Sequence, residues 1–71
     1  VVKINPEKLL QSKWTAVQPR NKEKHFMVVE LIRNDEERVE FCLLEAVMTH
    51  QVYKLAWQEL KDEAIWLMGW K

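Results

Sequence analysis

Four side chains in this sequence carry the chemistry of a nucleophile or of its activating base: Ser12, His25, Cys42 and His50. A nucleophilic site needs Cys42 or Ser12 within reach of a histidine, with a third group to orient that histidine. Cys42 stands among Phe41, Leu43 and Leu44, the setting of a small inert apolar residue and not of a thiolate. His25, Cys42 and His50 are also metal-ligand types, but their wide spacing matches no zinc pattern. The single glycine, Gly69, leaves no material for a glycine-rich phosphate loop. The expectation is a non-enzymatic chain without catalytic residues, cofactor or metal.

Binding chemistry is better represented. Arg20, Lys22, Lys24 and His25 lie close together in a polar stretch, with Lys13 shortly before them. Trp14 and Trp70 each adjoin a lysine near the end of an expected element, so each reads either as a packed structural ring or as an exposed one. An exposed indole holds a nucleobase with about 1–3 kcal/mol, and neighbouring lysines and arginines hold the phosphate. Lys13, Trp14, Arg20, Lys22, Lys24, His25 and Trp70 therefore form the candidate binding surface. The same basic residues also read as a plain solvated loop, because Glu23 stands among them. Trp57 and Trp66 sit in apolar registers and are read as core.

The elements that must position these residues are short. Asn5 suits a helix N-cap, Pro6 the first helical position and Glu7 the positive end, which predicts a helical turn followed by Leu9 and Leu10 as a lid on the core. Lys13 to Val17 reads as a first strand stopped near Pro19, and Arg20 to Lys24 as a loop. Phe26 to Ile32 reads as a buried central strand, Asn34 to Glu37 as a turn, and Val39 to Met48 as its hairpin partner. Val39, Cys42, Leu43, Ala46 and Val47 also fit helical spacing, so residues 38–60 have a partly helical alternative. The strand is preferred because Phe41, Leu44 and Met48 would make that helix apolar nearly all round. After a connection at Thr49 to Gln51, Val52 to Trp57 alternates Tyr53, Leu55 and Trp57 on one face of a fourth strand. Asp62 then reads as the N-cap of a last helical turn, Gly69 as its left-handed stop, and Trp70 as returning onto Ile65.

The resulting expectation is a mainly β single domain, 1–71, built as a four-stranded antiparallel SH3-like barrel with helical turns at both ends. A chain of 71 residues has room for one core, and four tryptophans, two phenylalanines and one tyrosine supply area that a secreted domain of this size takes from disulfides. One cysteine allows no internal disulfide, and the segment from Val1 to Pro6 has no apolar run of signal-peptide or membrane-spanning length. A cytoplasmic protein without membrane contact is expected.

Several blocks resemble a known family: Ser12-Lys13-Trp14-Thr15-Ala16-Val17, Asn21-Lys22-Glu23-Lys24-His25-Phe26, Leu44-Glu45-Ala46-Val47, Trp57 with Leu60-Lys61-Asp62, and Trp66-Leu67-Met68-Gly69-Trp70. Together they resemble a family of small tryptophan-rich bacterial proteins of unknown function, over nearly the whole chain. The resemblance implies one complete domain and brings no reaction, cofactor or substrate with it.

Charge then ranks the partners. The net charge is zero, whereas coating nucleic acid takes a surplus of lysine and arginine. Residues 1–33 carry seven Lys/Arg against three Asp/Glu, and residues 34–71 four against eight, so the two halves have opposite signs. The acidic half opposes a long phosphate backbone. An adaptor that docks on a protein partner is the leading expectation, and single-stranded nucleic-acid binding through exposed tryptophan and the basic loop is the alternative.

Overall fold

The computed structural model describes residues 5–71. The reading of an amino-terminal segment without a leader falls largely on residues 1–4, outside the described residues. Five antiparallel strands form one sheet: β1 (Lys13–Arg20), β2 (Glu23–Arg33), β3 (Val39–Ala46), β4 (Val52–Ala56) and β5 (Trp66–Met68), in the order β4-β3-β2-β1-β5. Two 3-10 turns, Pro6–Lys8 and Trp57–Lys61, are the only helical elements among the described residues.

The expected barrel is corrected to an open sheet, because β4 and β5 end the strand order at opposite edges and do not pair with each other. The fifth strand replaces the expected terminal helical turn. Trp66–Met68 pairs with β1 through Trp14↔Met68, Thr15↔Leu67 and Ala16↔Trp66, a ladder more favourable than one isolated helical turn, whose nucleation is costly. Asp62 still caps locally, its Oδ1 accepting the Ala64 N–H at 3.0 Å, but only a turn follows. Gly69 does take positive φ, at 84°, yet Trp70 does not return to Ile65; its indole N–H donates to the Phe26 carbonyl at 3.0 Å.

Residues 38–60 contain no α-helix, so the strand reading of Val39 onward holds. Cys42, Leu44 and Ala46 alternate as buried residues with the half-buried Phe41, Leu43 and Glu45. The sheet therefore separates the two apolar sets that made the helix implausibly greasy. Trp57 lies outside β4 and opens the second 3-10 turn instead of sharing a strand with Tyr53 and Leu55.

The basic loop shrinks to a two-residue turn. Arg20 pairs with Glu23, and Asn21 and Lys22 both take positive φ, 53° and 63°, as the two central positions of a type I′ hairpin require. The Asn5 cap is present as expected, its Oδ1 accepting the Glu7 N–H at 3.0 Å.

One face of the sheet carries the core. Trp14, Phe26, Val28, Cys42, Leu44 and Ala46 pack with Leu9, which follows the first 3-10 turn, and with Leu60 of the second, while Leu10 is exposed and not part of the expected lid. Opposite residues in an antiparallel ladder share a face, and neighbours along a strand alternate. The pairs Lys13↔Met27 and Thr15↔His25 therefore lie on the other face from Trp14↔Phe26.

Candidate functional site

The core face is not covered along its whole length. It opens into a cleft of about 570 Å³ whose lining comes from all five strands, the β1–β2 turn and the turn before β5. Its apolar wall includes Phe26, Leu44, Leu55 and Trp66. Phe26 meets the edges of Tyr53 and Trp66, with ring centroids 6.1 Å and 5.2 Å away and interplanar angles of 66° and 87°. Such edge-to-face contacts fix ring orientation. Because Tyr53 and Leu55 of β4 line the same cleft as Ile65 and Trp66 near β5, the open sheet curls its two edges toward one another.

Glu23 lies at this cleft and is only 5% exposed, the one buried carboxylate among the described residues. Tyr53 donates its hydroxyl to Oε1 at 2.5 Å, and the Thr49 hydroxyl donates to Oε2. These two bonds, the Thr49 one first, hold the Glu23 carboxyl below its ordinary pKa against the opposing effect of burial. The same carboxylate, by accepting from the phenol, raises the Tyr53 pKa. No nitrogen of a described Lys, Arg or His comes within salt-bridge distance of Glu23. Arg20, its ladder partner, is exposed at the rim.

The residues expected to form one binding surface divide into three places. Lys13, His25 and Trp70 come together on the face opposite the core. Lys13 Nζ lies 4.8 Å from the Trp70 ring centroid, and the His25 and Trp70 rings are 6.0 Å apart. The tail that carries Trp70 is strapped down: Thr15 Oγ1 donates to the Gly69 carbonyl at 2.6 Å and accepts the Lys71 N–H at 2.9 Å, and His25 Nε2 donates to the Lys71 carbonyl at 3.1 Å. Arg20, Lys22 and Lys24 stand exposed around the β1–β2 hairpin end.

Trp14 is the correction. It is 1% exposed in the centre of the core, and its indole N–H donates to Ser12 Oγ at 2.8 Å, so neither ring face can stack on a ligand. The sheet period explains it, since Lys13 and Thr15 point to one face and Trp14 to the other. Trp66 and Trp57 pack against the core cluster as half-buried residues. Cys42 is wholly buried, and burial, reinforced by the charge of Glu59, pushes its thiol pKa up to about 11.

Sequence reasoning missed Glu23, Tyr53 and Thr49 as a unit. Glu23 between Lys22 and Lys24 carries the signature of a solvated loop, and nothing local indicates that residues 49 and 53 will meet it. Only the face shared by Tyr53 and Leu55 was legible.

No helix among the described residues is long and apolar enough to cross a membrane. Comparison with curated proteins and with solved structures finds no match. A family model does match, across residues 12–71, which takes in every strand, the cleft and the Trp70 strap. The chain belongs to the tryptophan-rich protein family DUF2389, a family of unknown function.

Proposed function

We propose that this chain is a non-enzymatic docking domain that holds a segment of a protein partner in the concave cleft, in the manner of SH3-like adaptors. The observation that carries this reading is the cleft itself, about 570 Å³ of aromatic and aliphatic wall left uncovered on the core face. That volume falls within the ~300–1,000 Å³ typical of ligand-binding clefts. Large apolar residues remain exposed on both rims, Tyr53 on β4 and Ile65 before β5, where a passing chain would bury them. The inert setting of Cys42 supports binding over nucleophilic chemistry.

Blocking the cleft tests the proposal. Ala64 is exposed and lines the cleft, so Ala64→Trp fills it without disturbing the core. A partner captured from cells by the unaltered domain is expected to be lost with Ala64→Trp and kept with Trp70→Ala. The opposite pattern would assign function to the other face.

That other face supports the second reading, binding of single-stranded nucleic acid. Lys13, whose ammonium lies over the ring of the half-exposed Trp70, brings one cation and one stacking ring together. With Trp14 buried, one platform remains where two were expected, which ranks this reading second.

A further inference from the structure

We infer that the side chain this cleft takes from its partner is basic: a lysine or arginine whose aliphatic stem lies along Phe26 and Trp66 and whose cationic head meets the Glu23 carboxylate. This rests on the docking reading above and specifies its occupant.

The first support is an imbalance of charge. A carboxylate removed from water is costly unless paired and hydrogen-bonded. Glu23 has the hydrogen bonds, from Tyr53 and Thr49, but no described cation beside it. Each carboxylate oxygen accepts one hydroxyl and has a further lone pair, so both oxygens can receive N–H donors from a guanidinium or ammonium. The two hydroxyls also leave the carboxylate no need to take up a proton, so it meets its occupant as an anion.

The second support is what surrounds the charge. Phe26, Tyr53 and Trp66 line the same cleft as Glu23, and their rings are surfaces along which the stem of a long basic side chain packs and which attract its cationic end. Arg20 does not cancel this preference. It is exposed at the rim, where water and salt screen its charge, whereas the field of Glu23 acts inside a partly enclosed site. A partner segment fits better than a small amine, because one basic side chain leaves much of the apolar wall and both rims uncovered, and flanking residues of a chain would cover them.

Selection from a phage-displayed library of random twelve-residue peptides tests both levels, with the whole domain as bait and the Ala64→Trp variant as counter-selection. The expected result is enrichment of peptides with a lysine or arginine flanked by apolar residues. A synthetic peptide of the top sequence should lose affinity at least tenfold when that residue becomes methionine, a change that leaves the domain untouched. Glu23→Gln, with its fold checked by circular dichroism, should weaken the same peptide comparably. Cleft-dependent peptides without an essential basic residue, or peptides that bind Glu23→Gln equally well, would overturn the inference and leave the docking site standing. Failure to obtain any peptide sensitive to Ala64→Trp would overturn the docking site itself, and the inference with it.

Discussion

Tyr53 and Glu23, one on the edge strand β4 and the other at the start of β2, are joined by a 2.5 Å hydrogen bond from phenol to carboxylate. They stand 30 residues apart in sequence, and β3 lies between their strands in the sheet. The bond ties the open edge to the sheet interior beside the cleft, which makes its protonation chemistry visible in stability.

Stability should therefore fall at both ends of the pH scale. The Glu23 pKa is lowered from an ordinary 4.5, so the carboxylate stabilises the fold above about 4.5 and that contribution is lost as pH drops through the lower folded value. Glu7, lowered by its hydrogen bond to Arg33, acts in the same direction. The Tyr53 pKa is raised from 10.0, so its contribution is full below 10 and disappears as pH climbs through the higher folded value. Urea melts across pH should show Glu23→Gln flattening the acid limb, and Tyr53→Phe should move the Glu23 carboxyl upward in a carbon-detected NMR titration. An unchanged Glu23 titration in Tyr53→Phe would refute the coupling.

Trp14→Ala should be the most destabilising tryptophan truncation. Trp14 is 1% exposed and touches the centre of the core, whereas Trp66 is half-buried at the cleft. Complete removal of a buried aromatic costs about 3–5 kcal/mol. At roughly 0.05–0.15 kcal/mol per residue, a chain of this length has about 4–11 kcal/mol in total, so the loss takes a large share of it. Trp14→Ala is expected to lower the urea midpoint the most, with Trp66→Ala losing less. Equal urea midpoints for the two variants would contradict the burial order.

The strands at Lys13, Phe26 and Val39 were legible because their apolar residues follow a period of two or form a dense β-branched run. The terminal strand was not. Asp62 and Gly69 are true local signals, realised as a turn cap and a positive φ, but they are equally compatible with a helix end and a strand end. What decides between them is pairing with β1, some fifty residues away, which no local pattern carries. Trp14 carries two readings for a related reason: adjacency to Lys13 suggests exposure, but in a strand adjacent residues lie on opposite faces, and the core reading is the one realised. The Glu23 site was illegible because its donors arrive from the β3–β4 connection and from β4.

Cys42 should be silent toward alkylation in the folded protein. It is fully buried, and its pKa of about 11 leaves almost no thiolate at pH 8. Its labelling by iodoacetamide at pH 8 should rise with urea along the unfolding curve. Rapid labelling without denaturant would mean that the β3 core opens locally well below the cost of global unfolding.

Trp70 offers the sharpest separation between the two binding readings, because it is 42% exposed while its N–H is committed to the Phe26 carbonyl and its ring to Lys13. Trp70→Phe keeps a stacking ring but loses the N–H donor and part of the aromatic area against Lys13 and His25, so it should cost at least the net contribution of one hydrogen bond, about 0.5–1.5 kcal/mol. If Trp70 is a platform for single-stranded nucleic acid, titration of a short oligodeoxythymidine at low salt should quench its fluorescence and perturb Lys13 and His25. The affinity should then fall steeply with added salt, as release of condensed counterions demands. If the cleft is the working site, the oligonucleotide should leave these residues unmoved, and a cleft-bound peptide should shift Phe26, Tyr53 and Trp66 with weak dependence on salt beyond the screening of one ion pair. Saturable, salt-sensitive quenching that survives Ala64→Trp and vanishes in Trp70→Ala would reverse the ranking of the two faces.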